Sequence, residues 1–216
     1  MEISPGIVAR GPWQPEQIRV RWSEEPYEPP EGAARAADAA IAELAARGSP
    51  SHDGLSTRLA SFDASPTELS LDLQPTRWAL RLSQTDASQS LAAMCLVRAA
   101  DGSWLAGRRA SWLASWPGRW ALGAGGSVDP GESPVTTLTR ELEEEWSVTP
   151  VRLRIELLEC LPQYLVMFVG MAWLADGASV VPDAEHEDYA WWPPEPERWP
   201  AEADGPVRKI GALLAP

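Results

Sequence analysis

One stretch, GGSVDPGESPVTTLTRELEEEWSV at residues 125–148, constrains the fold more than any other part of the chain. Ser133 and Pro134 predict the start of a helix, because serine caps free backbone N–H groups and proline suits the first helical position. At about 100° per residue, one face of this helix is apolar and a neighbouring face is acidic. The apolar residues are Val135, Leu138, Leu142 and Trp146. We therefore expect this face to be buried.

The acidic face carries Glu141, Glu144 and Glu145, which fall within about 100° of one another around the helix. Glu143 points elsewhere and is expected to face solvent. Like charges three or four residues apart destabilise a helix by roughly a few tenths of a kcal/mol per pair, and no lysine follows at i+4 to neutralise them. Carboxylate oxygens at this density suit Mg²⁺ or Mn²⁺. The planar guanidinium of Arg140 could clamp one of the carboxylates.

Glycines and a further acid precede the helix. Gly125, Gly126 and Gly131 allow the backbone to approach a phosphate closely. Glu132 is expected just before the first helical turn, close to the acidic face. The stretch thus combines features of a phosphate site and of a metal site.

The whole stretch resembles the Nudix box. Gly126 is followed after five residues by Glu132, and after seven more by the run RELEEEWSV at residues 140–148. Every fixed position of the family pattern agrees except Ser147, where the family has glycine. The resemblance extends over about residues 91–215 and is sharpest in the box itself.

This resemblance implies a fold and an activity. The fold is α/β (α+β), with a mixed β-sheet sandwiched between helices. The activity is that of a diphosphatase, a hydrolase that uses Mg²⁺ or Mn²⁺ and acts on acid anhydrides. Its substrate would be a nucleoside diphosphate derivative, such as a nucleotide sugar, an ADP-ribose-like molecule or a nucleoside triphosphate. Water would attack at phosphorus.

The resemblance also implies roles for the box residues. Glu141, Glu144 and Glu145 match the metal ligands of the family, and Glu141 and Glu144 count as catalytic for that reason. Arg140 matches the residue that orients a glutamate, and Glu132 matches a supporting carboxylate.

Two further roles follow from the resemblance. Gly125 and Gly126 would shape the loop over the diphosphate. The general base of the family is either a box glutamate or an acid on a later loop. The acidic stretch 182–197 offers Glu185, Glu187 and Asp188 as candidates. Of these, we favour Glu187.

Other contacts to the substrate rest on residue type. Arg108, Arg109 and Arg119 are candidates for phosphate contacts, with surface ion pairing as the competing interpretation. One tryptophan near the expected cleft could stack on a nucleobase, with core packing as the alternative for each. The four are Trp104, Trp112, Trp116 and Trp120, of which Trp120 is our candidate.

Two alternative functions on the same fold deserve comparison. A catalytically inactive Nudix-like sensor would bind a nucleotide without cutting it, and Ser147 in place of glycine, at a cost of about 1 kcal/mol, leaves that alternative open. The intact carboxylates favour the enzyme. An isomerase acting on isopentenyl diphosphate would need a catalytic cysteine and dedicated histidines, whereas Cys95 and Cys160 sit in apolar runs that predict buried thiols.

Outside the box, a polar stretch at residues 83–90 indicates a linker between an α+β extension, residues 1–85, and a Nudix domain, residues 88–216. The extension loosely resembles the N-terminal subdomain of UDP-glucose-type Nudix enzymes, over residues 54–63 and 68–82. It could roof the cleft, fix substrate choice or build a homodimer. The other predicted elements are strands at 18–22, 69–73 and 78–82, a helix at 31–48, a hairpin at 90–110, two strands within 151–177 and a helix at 207–215.

The charge balance limits the partners. The chain has 31 acidic and 18 basic residues, a net charge of −13. Nucleic acid polymers and acidic membranes are therefore disfavoured, because binding them requires an excess of Lys and Arg. A small anionic ligand remains compatible, since a metal ion reverses the local charge. The first residues lack the features of a signal peptide and no apolar run spans a bilayer, so we expect a soluble, cytoplasmic protein.

Overall fold

The computed structural model describes residues 3–48, 53–83, 85, 87–113 and 115–215. Within them the α-helices are α1 (Glu31–Ala46), α2 (Pro134–Trp146) and α3 (Gly205–Leu214). The strands are β1 (Gly6–Trp13), β2 (Ile18–Trp22), β3 (Leu55–Ala64), β4 (Leu69–Arg77), β5 (Leu91–Arg98), β6 (Trp104–Arg109), β7 (Trp120–Leu122), β8 (Ala124–Ser127), β9 (Arg152–Cys160), β10 (Val166–Trp173) and β11 (His186–Trp192).

The strands of the described residues form a large and a small sheet. The large sheet has eight strands, with the order β1-β9-β10-β5-β6-β11, β7 beside β6 and β8 beside β5. The small sheet has the order β2-β4-β3, with β2 parallel and β3 antiparallel to β4. A large mixed sheet with three helices confirms the predicted α+β class.

The chain divides into two compact units. The first comprises residues 1–93, 126–137 and 154–169. It contains the small sheet, whose central strand buries Leu69, Leu71 and Leu73, as the alternation of its sequence predicts.

The second unit comprises residues 94–125, 138–153 and 170–216. Here β6 pairs antiparallel with β11, from His186 opposite Arg109 to Trp192 opposite Trp104, and β7 lies against β6 as well. Three of the four apolar residues predicted on one face of α2 are buried: Leu138, Leu142 and Trp146. The C-terminal end of α2 is fixed because the indole N–H of Trp146 donates to the carbonyl of Gly123 across 3.0 Å.

Two predictions made from local pattern were wrong. Residues 78–82 form a 3-10 helix, not a strand, and Asp53 accepts a hydrogen bond from the Ala79 amide in the first turn of that helix. The stretch 182–197 is not a continuous loop, because β11 runs through it and carries Glu187 and Asp188. The linker at residues 83–90 stays a prediction; residues 84 and 86 lie outside the described residues, and residues 88–90 are buried.

The predictions of the other elements were confirmed. They include the strands at 18–22 and 69–73, the helix at 31–48, the hairpin at 90–110, the strands on either side of Leu161 and Pro162, and the C-terminal helix. Both cysteines are free and buried, as expected. The domain boundary at residues 85–88 stays a prediction.

Candidate active site

The start of α2 is built as its sequence predicts. Pro134 is the first helical residue, and the backbone amide of Thr137 donates to the carbonyl of Ser133 across 3.0 Å. The Thr137 hydroxyl donates to Oε2 of Glu132 across 2.8 Å. Glu132, which lies two residues before Pro134, is therefore anchored to the first turn of the helix.

The acidic face of α2 is divided between buried and exposed carboxylates. Glu141 and Glu145 are buried, whereas the Glu144 side chain is 57% exposed. Nη1 of Arg140 donates to Glu141 across 2.8 Å and to Glu144 across 2.9 Å. Arg140 thus connects one buried and one exposed carboxylate, while Glu143 faces solvent as expected.

Glu145 is the most unusual carboxylate of the site. Its Oε1 accepts a hydrogen bond from the Gly125 backbone amide across 2.8 Å. Its Oε2 is buried and accepts no hydrogen bond from the described residues. Burial raises the pKa of Glu145 to about 9, opposed by the Gly125 hydrogen bond and reinforced by the negative charge of Glu141. Burial likewise raises the pKa of Glu141, against the opposing effect of Arg140.

These residues fit a divalent cation in their chemistry. Within the described part of the chain, no group of three or more His, Cys, Asp and Glu side chains is arranged to hold a metal ion. One reason for this arrangement is that the exposed Glu144 carboxylate accepts a hydrogen bond from the Arg140 guanidinium. The buried Oε2 of Glu145 accepts no hydrogen bond from the described residues and is a hard oxygen donor that suits a bound cation.

The N-terminal part of β11 and the residues before it carry four titratable groups: Asp183, Glu185, His186 and Glu187. Oε1 of Glu187 accepts from the Ser111 amide across 3.0 Å, which lowers the pKa of Glu187. Glu185 lies 3.6 Å from Nη2 of Arg109, and burial raises the pKa of Glu185. The negative charge of Glu185 also acts on Glu145. Burial lowers the pKa of His186, against the opposing effect of Asp183.

The three candidate arginines all have acidic partners. Arg108 lies 3.7 Å from Glu187, and its buried Nε has no hydrogen-bond partner among the described residues. Arg109 donates through Nε to the Ser115 carbonyl across 3.1 Å, besides its pair with Glu185. Arg119 pairs with Asp204, and its guanidinium lies 4.5 Å from the Trp116 ring centroid.

The tryptophans separate into buried and exposed groups. Trp104 is fully buried and packs edge-on against Trp199, with ring centroids 5.7 Å apart. Trp120 is half-buried and packs on Trp192 at 5.5 Å. Trp112 and Trp116 are exposed. Core packing therefore accounts for Trp104, while Trp120 retains a partly accessible ring.

Ser147 has the backbone geometry that the family glycine serves. It follows the last residue of α2 with φ 54, in the left-handed region. Its amide donates to the Glu143 carbonyl across 3.0 Å. The substitution therefore affects the end of the helix and leaves the side chains of Glu141, Glu144 and Glu145 in place.

Sequence reasoning missed the participation of Asp183 and His186. The amide of Asp183 donates to the Glu145 carbonyl across 2.9 Å, and His186 contacts the Glu145 side chain. The 36 or more residues between them and α2 carry no local signal of this contact. The Asp183–His186 spacing of three residues was the one available hint.

The NUDIX domain family matches residues 89–211, which is more than half of the chain, so the chain belongs to the NUDIX family. The family resemblance and the predicted fold are thereby confirmed. Nudix hydrolases generally use divalent metal ions such as Mg²⁺. Among curated proteins, none is significantly similar to the chain.

Several solved structures are similar to part of the chain. A MutT protein from Methanosarcina mazei Go1 is 25% identical, with a TM-score of 0.44, over 57% of this chain and 91% of its own. An Ap4A hydrolase from C. elegans is 24% identical, with a TM-score of 0.43, over 57% of this chain and 98% of its own. The NUDIX domain of Shewanella oneidensis NrtR, crystallised with ADP ribose, is 20% identical, with a TM-score of 0.38, over 48% of this chain and 72% of its own.

None of the helices in the described part of the chain is long and apolar enough to cross a membrane.

Proposed function

We propose that this protein is a metal-dependent hydrolase that cleaves the diphosphate linkage of a nucleoside diphosphate derivative. A nucleotide sugar, an ADP-ribose-like molecule and a nucleoside triphosphate are the substrate classes in question. The observation that carries the proposal is the buried Glu145, whose Oε2 lacks a partner among the described residues and whose neighbour Glu141 is also buried. Two buried carboxylates on one helix are costly when both are ionised, so they either take up protons, as the raised pKa values indicate, or bind a cation.

Glu141, Glu144 and Glu145 are the proposed ligands of Mg²⁺ or Mn²⁺. When bound, the cation neutralises phosphate oxygens and acidifies the attacking water. Glu144 is exposed and would leave Arg140 to bind it, whereas Glu141 and Glu145 are already held in place. The ligand set is therefore partly preorganised.

Arg140 and Glu132 support these ligands. Arg140 fixes the Glu141 carboxylate through a charge-assisted hydrogen bond, which restricts its rotamers. Glu132, anchored by the Thr137 hydroxyl, is proposed as the supporting carboxylate at the helix start. Both act by positioning charge before the substrate arrives.

A carboxylate must accept the proton of the attacking water. Glu187 was favoured from the sequence, but its carboxylate already accepts the Ser111 amide and lies beside Arg108. The contacts favour Glu185, which Arg109 holds and whose charge acts on Glu144 and Glu145. We therefore propose Glu185 as the base and Glu187 as a residue that fixes the Ser111 backbone.

The substrate contacts are proposed on similar grounds. Arg108 is suited to a phosphate, because its ion pair is long and its Nε is unpartnered among the described residues. Arg109 is proposed to hold Glu185 beside the phosphates. Gly125 and Gly126 in β8 are proposed to shape the diphosphate loop, since the Gly125 amide already contacts Glu145. Trp120 is proposed as the stacking surface for the nucleobase.

Residues 1–85 are proposed to act outside the chemical step, by fixing substrate choice, roofing the cleft or building a homodimer. The molar mass in solution, measured by light scattering, tests the homodimer. A substrate screen with and without residues 1–85 is a less direct test, because the truncated chain has to fold first.

The function is tested by phosphate release in a phosphatase-coupled assay. The panel contains UDP-, ADP- and GDP-sugars, ADP-ribose, dinucleotides and deoxynucleoside triphosphates, each with Mg²⁺ and with Mn²⁺. Glu144→Gln is the test variant, and Glu143→Gln is the matched control, because Glu143 is exposed on the same helix. Turnover by the wild type and by Glu143→Gln, with loss in Glu144→Gln, is the expected result.

The opposite result would favour the sensor. A folded protein that binds one of these nucleotides, yet releases no phosphate with either metal, would be a nucleotide-binding member of the family without catalysis. In that case Ser147→Gly becomes the first variant to assay, since Ser147 is the one departure from the family pattern.

A further inference from the structure

His186 is held rigidly inside the second unit. Its side chain is 1% exposed, and its ring lies 4.2 Å from the Trp146 ring, centroid to centroid. A Cβ added to Gly107 would lie 2.8 Å from Nε2 of His186 and 2.8 Å from Cζ2 of Trp146. Since only glycine leaves room at position 107, packing fixes where the imidazole lies.

Backbone hydrogen bonds attach the segment before His186 to the end of α2. The Val181 amide donates to the Trp146 carbonyl, and the Asp183 amide to the Glu145 carbonyl, each across 2.9 Å. The Asp183 carboxylate in turn accepts from the Glu185 amide across 2.9 Å. These hydrogen bonds place His186 beside the side chain of Glu145, although the two residues are far apart in the sequence.

The two ring nitrogens of His186 face two carboxylates. Nδ1 lies 3.3 Å from Oδ1 of Asp183, and Nε2 lies 3.5 Å from Oε2 of Glu145. Nδ1 can donate a hydrogen bond to the Asp183 carboxylate, and a proton held on Nδ1 leaves Nε2 as the nitrogen that faces Glu145. Nε2 then presents a lone pair towards Glu145.

A buried lone pair of nitrogen thus faces a buried carboxylate oxygen. Oε2 of Glu145 accepts no hydrogen bond from the described residues. Two acceptors facing each other away from water are unfavourable unless a proton or a metal cation lies between them, and a divalent cation held by α2 would take the place of the proton. Metal–nitrogen and metal–oxygen bonds are about 2.0–2.2 Å long, so two ligand atoms 3.5 Å apart can share one ion.

We propose that Nε2 of His186 binds the divalent cation together with Oε2 of Glu145, and that Asp183 is the positioning residue that sets the tautomer. The inference rests on the proposed function in one respect, that α2 holds a divalent cation. A ligand set with an imidazole nitrogen favours a transition-metal ion such as Mn²⁺ over Mg²⁺, which prefers oxygen. A metal-bound histidine usually donates a hydrogen bond from its second ring nitrogen to a carboxylate, as Nδ1 of His186 can to Asp183.

Pulsed electron paramagnetic resonance of bound Mn²⁺ tests this directly. The chain has two histidines, and His52 lies outside the described residues. In the full-length His52→Gln protein, ¹⁵N-labelled histidine therefore marks His186 alone. We expect the coupling of a directly bound nitrogen, which changes from ¹⁴N to ¹⁵N on labelling. Bound Mn²⁺ without a histidine coupling overturns this inference and leaves the proposed hydrolase intact. A protein that binds neither Mn²⁺ nor Mg²⁺ overturns both.

Variants provide a second measurement. His186→Gln is expected to weaken Mn²⁺ binding by about tenfold or more, and Mg²⁺ binding much less, by calorimetric titration. Asp183→Asn retains an oxygen that can accept from Nδ1, so a smaller loss is expected. Equal losses for both metals would mean that His186 serves packing alone and would overturn the proposal. If His186→Gln does not fold, the isotope experiment on the His52→Gln protein still decides.

Discussion

Oε1 of Glu145 accepts a hydrogen bond from the backbone amide of Gly125, across 2.8 Å. This contact joins the acidic face of α2 to the glycine-rich strand before it, and it commits one oxygen of the carboxylate to the protein. The other oxygen stays buried without a partner among the described residues. One oxygen of the Glu145 side chain therefore anchors it to the backbone, and the other is the oxygen that we propose as a metal ligand.

Glu145→Gln tests whether the Glu145 carboxylate binds the metal ion. The amide retains the size and the hydrogen bond to Gly125 but not the charge, so we expect Mn²⁺ affinity to fall by about tenfold to a hundredfold or more. Glu143→Gln, on the exposed side of the same helix, is the control and should bind Mn²⁺ like the wild type. Calorimetric titration measures both. Equal affinities of the two variants would contradict the assignment of Glu145 as a ligand.

Glu185→Gln tests the general base. Removing the proton acceptor should lower kcat by about 10²- to 10⁴-fold with a small change in KM. Glu187→Gln should retain more activity, because Glu187 accepts the Ser111 amide and an amide oxygen can do the same. Steady-state kinetics on the best substrate of the panel compares them. A larger loss of kcat in Glu187→Gln than in Glu185→Gln would reverse the assignment.

Ser147→Gly should stabilise the protein. The left-handed conformation at φ 54 costs a residue with a Cβ about 1 kcal/mol, which glycine avoids. We expect a higher free energy of unfolding in urea, reduced somewhat by the greater entropy of glycine in the unfolded chain. Ser147→Ala keeps the Cβ and should give no such gain. A stability gain in the alanine variant as large as in the glycine variant would assign the effect to the hydroxyl group.

Gly211→Ala should destabilise the C-terminal helix. A Cβ at this position would lie 2.7 Å from Cζ3 and 3.0 Å from Cζ2 of Trp199, too close for the ring to stay where it packs on Trp104. Overpacking of this kind costs about 1–3 kcal/mol. Gly205→Ala, in the first turn of the same helix, meets no atom within 4 Å and is the matched control. Thermal unfolding compares the two, and equal midpoints would refute the packing account.

Asp72 should make the stability depend on pH in the acid range. It accepts two hydrogen bonds from Arg21, across 2.6 and 3.1 Å, and one from Ser61, and these lower the pKa of Asp72 in the folded state. A depressed folded pKa contributes stability above the unfolded value of about 3.9, and this contribution is lost as the pH falls through the folded value. Asp72→Asn should therefore be less stable than the wild type near pH 6. The difference in unfolding free energy should shrink towards pH 2, and one that stays constant over this range would exclude the linkage.

Local sequence determined much of this protein. The start of α2, its buried face and the solvated Glu143 follow from side-chain periodicity and capping, which act within a few residues. The left-handed position after the helix was expected from the family resemblance. The spacing from Gly126 to Val148 was enough to identify the family, which the match over residues 89–211 confirms. The alternating pattern at residues 78–82 predicted a strand, but these residues form a 3-10 helix. The backbone amide of Ala79 in this helix donates a hydrogen bond to the Asp53 side chain.

Tertiary structure alone decided which groups meet. The sequence treats Glu141, Glu144 and Glu145 alike, but packing buries two of them and leaves Glu144 to Arg140. No local rule brings His186 to Glu145, because that contact depends on two backbone hydrogen bonds to the end of α2 and on the space left by a glycine in β6. Periodicity determines the face of an element on which a residue lies, whereas burial and charge pairing depend on what the rest of the chain places against that face.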